Sequence, residues 1–192
     1  MPVMTLECNR LSRYAGGVTS GEEWPLSLVL DFLNTVDAEE GTDELVDRAA
    51  FRAWLRAHGL PDRADLDAAR RFRDLLRSAV GDPAVTPDQP TGEPVRDGVP
   101  VSVTLGADRR PTLSSPDPLG QIAAAAVRLV DDGRWDRLKI CPADDCRWAF
   151  YDRSKNRSRH WCSMGVCGNR AKSRTFRERR RAAGTDSAVA PA

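Results

Sequence analysis

Lysine is nearly missing from this chain: of 29 basic residues only Lys139, Lys155 and Lys172 are lysines, a bias that a GC-rich genome produces as readily as a functional demand. Histidine is just as scarce. His58 and His160 stand far apart and no Gly-rich phosphate loop accompanies them, so nothing in the sequence assembles a nucleophile with its base, and no enzyme is expected. Long apolar runs are lacking too. The stretches around 26–36 and 122–130 are broken by polar residues well before the roughly 18 needed to cross a bilayer. The N-terminus carries Glu7, Asn9, Arg10 and Arg13 without a continuous apolar core, unlike a secretory signal. The expectation is a cytoplasmic protein with no membrane partner. No internal repeat is visible.

What is present divides into two parts of opposite charge. Residues 1–133 hold 14 Arg against 22 Asp plus Glu, a net −8, whereas residues 134–181 hold 15 Arg plus Lys against five carboxylates, a net +10. At 192 residues the chain has room for one modest domain and a small appended module. A polyanion-binding module joined to a domain with another role accounts for the asymmetry.

The reading along the chain is α+β, with a mostly helical N-terminal domain. Residues 1–20 are polar and are expected to be flexible, and the domain itself runs from 21 to 133. The LSLVLDFLNTV segment around Leu26, Leu30, Phe32 and Leu33 is a buried helix or a strand, since periodicity cannot decide so short a run. Asp31 and Asn34 are polar groups within it that satisfy backbone groups or line a pocket. Asp47 is a plausible N-cap for a helix presenting Phe51, Trp54, Leu55 and His58, stopped by Gly59 and Pro61. A second helix spans about Asp65–Val80 and ends at Gly81 and Pro83. The Pro-rich stretch 82–98 reads as a loop. Val99, Val101, Val103 and Leu105 then alternate before a turn and Thr112–Ser114, which predicts a β-hairpin. Pro116 and Pro118 lead into a helix over about 117–130. Residues 182–192 are expected to be disordered.

Four of the five cysteines fall in the pattern C-x4-C-x15-C-x4-C, at Cys141, Cys146, Cys162 and Cys167, while Cys8 stands apart without an assigned role. Two close pairs separated by an insertion suit a tetrahedral four-cysteine zinc site, because each short loop lets two sulfurs converge and the insertion brings the pairs together. The alternatives are thiols packed as small apolar groups, disulfides, an iron-sulfur cluster, or His160 in place of one sulfur. One structural Zn2+ is the favoured reading, and four thiolates leave no open position for catalysis. Trp148, Phe150, Trp161 and Phe176 have few aliphatic neighbours, so a segment this short needs the metal to fold. The expected form is treble-clef-like: a strand over Arg147–Tyr151, a turn at Asp152–Ser158 leading back toward His160 and Cys162, and a helix starting near Cys167.

Arginines crowd both sides of the second cysteine pair. Arg153, Lys155, Arg157 and Arg159 lie between the pairs; Arg170, Lys172, Arg174, Arg177 and Arg181 follow Cys167, most at helical spacing. Guanidinium groups suit phosphate oxygens and guanine edges, which makes these nine the candidate nucleic-acid contacts. Asn156 and Asn169 read adenine or cap local structure, the latter being favoured. The bland alternative is that the basic segment docks on the acidic first domain.

The run FYDRSKNRSRHWCSMGVCGNRAKSRTFRERRR resembles the CGNR zinc-finger family, through Cys167, Gly168, Asn169 and Arg170. LVLDFLNTV and the helix with Trp54 and Leu55 resemble the ABATE-type domain that precedes such fingers in proposed stress-induced transcription regulators of bacteria. The resemblance implies zinc on Cys141, Cys146, Cys162 and Cys167, and DNA as partner. The functional expectation is therefore a nucleoid-associated, DNA-binding transcription regulator. Its acidic domain would sense a signal, bind a small molecule or protein, or form a homodimer. The alternative is a zinc-stabilised protein-interaction adaptor or RNA binder.

Overall fold

The computed structural model of the chain describes residues 23–85 and 98–185, with side chains to Arg181. The flexible N-terminus expected over 1–20, with Cys8, most of the Pro-rich loop and most of the C-terminal tail lie outside the described residues. The fold is α+β, with five α-helices and three two-stranded antiparallel sheets among the described residues.

The ambiguous apolar segment is a helix, α1, Trp24–Leu33. Pro25 occupies its first turn, where a missing N–H costs nothing, and seven of its ten residues are buried. A helix apolar on nearly every side belongs at the centre of a fold. Around α1 pack α3, Leu66–Ala79, and α4, Pro118–Asp131. The shorter α2, Arg48–Ala57, adds Phe51, Trp54 and Leu55 to the same core. Phe32 of α1 links them, with ring centroids 5.7 Å from Trp54 and 5.9 Å from Phe72. The N-cap expected at Asp47 forms, and a second forms at Asp65. Asp47 accepts from the Ala50 amide at 2.8 Å, and Asp65 accepts from the Ala68 amide at 2.7 Å. Gly59 and Gly81, both at positive φ, stop α2 and α3.

The sheets are β1 (Val36–Asp37) with β2 (Thr42–Asp43), β3 (Ser102–Leu105) with β4 (Pro111–Ser114), and β5 (Leu138–Ile140) with β6 (Ala149–Tyr151). The β3–β4 hairpin matches its sequence pattern, but its apolar face is open, with Val103 69% and Leu105 75% exposed. A different pairing from the expected one occurs at β6. The sequence pattern turns this segment back through Asp152–Ser158, yet β6 pairs with β5, which precedes the first cysteine pair. The reason is burial: Leu138 and Ile140 of β5 enter the main core, whereas residues 153–160 have no apolar alternation to bury.

The core also crosses the point where the charge changes sign, because Leu138, Ile140 and Ala149 belong to it. Asn34, just beyond α1, donates to the Ala149 carbonyl at 2.9 Å and accepts from the Ala149 amide at 2.7 Å. Its side-chain amide thus pairs with β6 as a neighbouring strand would. Beside it lies a buried ionic cluster. Asp82 is fully buried and takes hydrogen bonds from Arg77 Nε at 2.7 Å and from Arg147 Nη2 at 2.9 Å. Arg77, 1% exposed, also donates to the carbonyls of Leu33 and Arg147 at 2.6 and 2.8 Å. Arg147 sits at φ +49°, a left-handed conformation rare for a side chain other than glycine, and the Asp82 contact helps hold it there.

Asp82→Asn removes a carboxylate shared by two guanidinium groups, one of them buried. The expected loss is about 3–5 kcal/mol in urea unfolding, and a loss under about 1 kcal/mol would refute the role. Burial alone would raise the Asp82 pKa, but Arg147 and Arg77 hold it below its ordinary value. Its contribution is complete above about pH 4 and declines as pH falls through the folded value.

His58 behaves in the opposite sense. It caps α2, stacks on Trp54 at 4.0 Å, and places Nε2 3.3 Å from Asp31. Burial acts to lower its pKa, yet the Asp31 carboxylate, the Trp54 carbonyl and Glu44 outweigh it and the value is raised. Stability from this group is complete below about pH 6.5 and is lost as pH rises through the folded value. Melting of the His58→Gln variant should therefore vary less than wild type between about pH 6 and 8. Parallel curves for the two proteins would contradict this.

Candidate metal centre and cationic surface

The strands β5 and β6 bracket the first cysteine pair, with Cys141 immediately after β5 and Cys146 in the turn before β6. The Cys162 and Ala143 amides bond the Cys141 sulfur, and the Trp148 amide bonds that of Cys146. Cys162 closes the loop that follows β6. Cys167 lies in a single wide turn, Met164–Gly168, whose preceding residue Ser163 accepts from the Val166 amide through its hydroxyl at 3.3 Å, and α5, Asn169–Thr185, begins directly after it. A Cβ at Gly168 would come within 2.5 Å of the sulfur of the exposed Met164, a flexible side chain that can shift, and within 3.3 Å of Trp161.

All four sulfurs are buried and lie within 4.8 Å of one another. Cys146 to Cys162 is 3.5 Å and Cys162 to Cys167 is 3.7 Å. Sulfurs about 2.3 Å from one tetrahedral ion must sit about 3.8 Å apart, while a disulfide requires about 2.05 Å. The spacing is that of ligands and not of bonded pairs. Four such thiols cannot all ionise unaided. Hydrogen bonds from Cys146 and Cys162 hold Cys141 well below the ordinary thiol value, and Cys141 in turn pushes Cys146 up to about 12 and Cys162 higher still. A dication removes that conflict, so the donor set fits one zinc ion. His160 is exposed, edge-on to Trp161 at 4.8 Å, and stands outside the sulfur cluster.

The loop between the pairs is organised by Asp152. This fully buried carboxylate accepts from Lys139 Nζ at 2.7 Å, from the Ser154 hydroxyl at 2.6 Å and from the Ser154 and Arg159 amides at 2.9 Å each. Burial would raise its pKa, but Lys139 and these donors hold it far below the carboxylate range. Lys139 also binds the carbonyls of Arg157 and Arg159, at 2.6 and 3.0 Å. The loop is thereby fixed without a strand, and Arg153, Lys155 and Arg157 remain at the surface.

Comparison with known families agrees with this geometry. Residues 137–180 match the CGNR zinc finger, and residues 26–133 match ABATE, the family model of a proposed stress-induced transcription regulator. The chain belongs to the ABATE family. It carries a CGNR zinc finger whose four cysteines can hold one zinc ion. The family names point to a transcription regulator. No curated protein matches the chain.

In this ABATE protein the nine basic residues expected at a nucleic-acid surface divide by their surroundings. Arg159 is exposed but lies back on the finger: its guanidinium is 5.2 Å from the Phe150 ring, donates to the Trp161 carbonyl at 2.9 Å and contacts the Cys162 carbonyl. Arg170 meets Glu39 at 3.1 Å, Asp145 at 3.2 Å and the Cys167 sulfur at 3.4 Å. Looser pairs join Arg153 to Glu23, Arg157 to Asp136 and Arg174 to Asp144, at 3.6, 3.7 and 3.9 Å. Lys155, Lys172, Arg177 and Arg181 are exposed. Asn169 caps the wide turn, donating to the Gly165 carbonyl at 3.1 Å. Sequence spacing pointed to Arg170, Arg174, Arg177 and Arg181 as one stripe and did not single out Arg179 or Arg180; Phe176, counted from the sequence with the core aromatics Trp148, Phe150 and Trp161, instead shares the exposed outer part of α5 with them. Phe176 is 62% exposed with Arg180 over its ring at 5.9 Å. The signal available beforehand was an aromatic residue with no apolar partner at helical spacing.

Removing the metal with a strong chelator should shift the emission of buried Trp148 toward that of exposed tryptophan and lower the melting temperature of the whole chain. Structural zinc contributes on the order of 10–16 kcal/mol in finger peptides, and β5 and β6 carry that dependence into the main core. Cys146→Ser should do the same without chelator. Unchanged fluorescence and melting after complete metal removal would reject the site.

Proposed function

We propose that this chain is a DNA-binding transcription regulator in which the zinc finger presents α5 to a groove and the 153–157 loop to phosphates. The observation that carries the proposal is α5 itself. Every residue from Lys172 to Arg181 is exposed, and six of those ten are Lys or Arg. A polar helix exposed on all sides gains nothing from the core, so its order and charge are best explained by a partner. The polyanionic backbone of DNA is the partner that suits it, because the module keeps a net of about +8 once four thiolates and one Zn2+ are counted.

Helical geometry assigns the faces. Arg170 and Arg174 root one face against Glu39, Asp145 and Asp144, whereas Lys172, Phe176 and Arg179 lie on the opposite side. That outer side is the proposed groove face, with Arg180 reaching phosphates from its flank, while Arg177 and Arg181 continue the stripe of Arg170 and Arg174 on the other side. The N-terminal region carries the regulatory role, whether it senses a signal, binds an effector or partner, or forms a dimer that matches a two-fold operator. The cleft of about 240 Å³ lined by Arg71, Phe72, Leu75, Val99 and Leu119 is the proposed place for a small effector. No catalysis is assigned to the chain.

The second reading, a protein-interaction adaptor or RNA binder, is favoured by one feature. Phe176 is a large apolar side chain in an otherwise charged helix, as expected for docking on a protein or stacking on an unpaired base. Internal docking of the basic module on the acidic region engages Arg153 with Glu23 and Arg170 with Glu39; it uses the root of α5 and leaves the outer turns exposed.

Gel shifts of the zinc-loaded chain on duplex fragments across a salt series test the proposal. Six to eight phosphate contacts give a log-log slope of about −5 to −7. Lys172→Ala with Arg179→Ala should weaken binding by about tenfold or more. Salt-independent binding, or preference for RNA or an acidic protein over duplex, would reject it.

A further inference from the structure

The last letter of the CGNR motif has surroundings that a nucleic-acid contact does not need. Arg170 stands three residues after Cys167, one helical step away, so its side chain returns over the sulfur cluster. Nη2 donates to the Cys167 sulfur at 3.4 Å, and Nη1 lies 3.1 Å from Glu39 Oε1 and 3.2 Å from Asp145 Oδ2. Nε is sealed from solvent and has no hydrogen-bond partner. A guanidinium meant for phosphate keeps its fork turned outward. This one faces a metal-binding sulfur, the knuckle between the first cysteine pair, and the β1–β2 turn.

We infer that Arg170 is a positioning residue of the metal centre that couples the second cysteine pair to the β1–β2 turn of the N-terminal region. Three contacts support this. A zinc ion with four thiolates carries a net −2, and a cation donating to one of the sulfurs offsets part of that charge. Asp145 belongs to the four-residue loop between Cys141 and Cys146, so the same guanidinium ties the two cysteine pairs together. Glu39 lies between β1 and β2, and its amide, like that of Glu40, is held by the Asp37 carboxylate at 3.0 and 3.1 Å. The acidic partner is therefore itself fixed. Because one side chain reaches both the ligands and the N-terminal region, metal binding favours the seating of the β1–β2 turn, and that seating raises metal affinity by the same factor. The metal centre then serves as more than a brace for α5: its occupancy is transmitted to the acidic region.

The inference extends beyond the proposed function and does not require it, since metal affinity is measured without nucleic acid. Full-length protein is titrated with Co2+, whose thiolate absorption reports tetrahedral binding, and then with Zn2+ in competition. Arg170→Met should weaken metal affinity by about 10- to 100-fold while keeping the tetrahedral spectrum. Arg170→Lys should fall between the two, because it restores charge without spanning three partners. Glu39→Gln should cost about fivefold or more, and combining it with Arg170→Met should add little. If Arg170→Met does not fold, Glu39→Gln decides. Metal affinities within twofold of wild type for Glu39→Gln, or for a folded Arg170→Met whose DNA salt slope drops by about one, would overturn the inference and make Arg170 an ordinary phosphate contact.

Discussion

Four sulfur atoms held at ligand spacing in a buried site are the constraint on which the C-terminal part of this protein depends. Thiols that close repel as they ionise, so in the thiolate form the arrangement is coherent only around a cation. Nothing else at this end of the molecule, among the described residues, has a comparable effect. Trp148 and Phe150 pack against the cysteines, but the loop after β6 is polar and α5 is exposed beyond its first turn. The direction in which α5 leaves the body is set by Cys167 in the wide turn before it, by Asn169 capping that turn, and by Arg170 reaching back to the sulfur.

The opposite charges of the two regions meet at particular contacts, not as diffuse surfaces. Asp82 bridges Arg77 and Arg147, Asn34 pairs with the backbone of Ala149, and Glu39 faces Arg170. The first two are buried and sit where β6 rests on α1, so the finger's first strands and the helical core share one interior. The third is partly exposed. A family description as regulator plus finger suggests two modules in series, whereas these contacts describe a finger whose hairpin is built into the domain before it and whose helix is carried outward.

Much of this was legible beforehand, and for identifiable reasons. The cap at Asp47 acts on an amide three residues away, and such short-range chemistry reads directly from sequence. The cysteine spacing was equally legible, because chain length alone limits how two close pairs can converge. The pairing of β6 was not. The polar 152–158 stretch looks like a turn, and it is one, but whether the strand before it pairs forward or backward depends on which neighbour has apolar side chains to bury. Leu138 and Ile140 supplied them from the far side of Cys141. Asp31 and Asn34 were visible as polar residues in an apolar run, but their partners His58 and Ala149 are 27 and 115 residues away, beyond any local rule.

Spacing and composition along single stretches of chain were enough for four of the five described helices, the cap at Asp47, the ligand set and the excess of positive charge at one end. Tertiary structure alone decided what each cation is for. Arginines identical in sequence terms became a buried bridge at Arg77, a cover over Phe150 at Arg159, a tie to sulfur and carboxylate at Arg170, and an exposed array along outer α5. A guanidinium takes its role from the charges and carbonyls that folding brings within about 3 Å of it, and those come from segments far away in the chain.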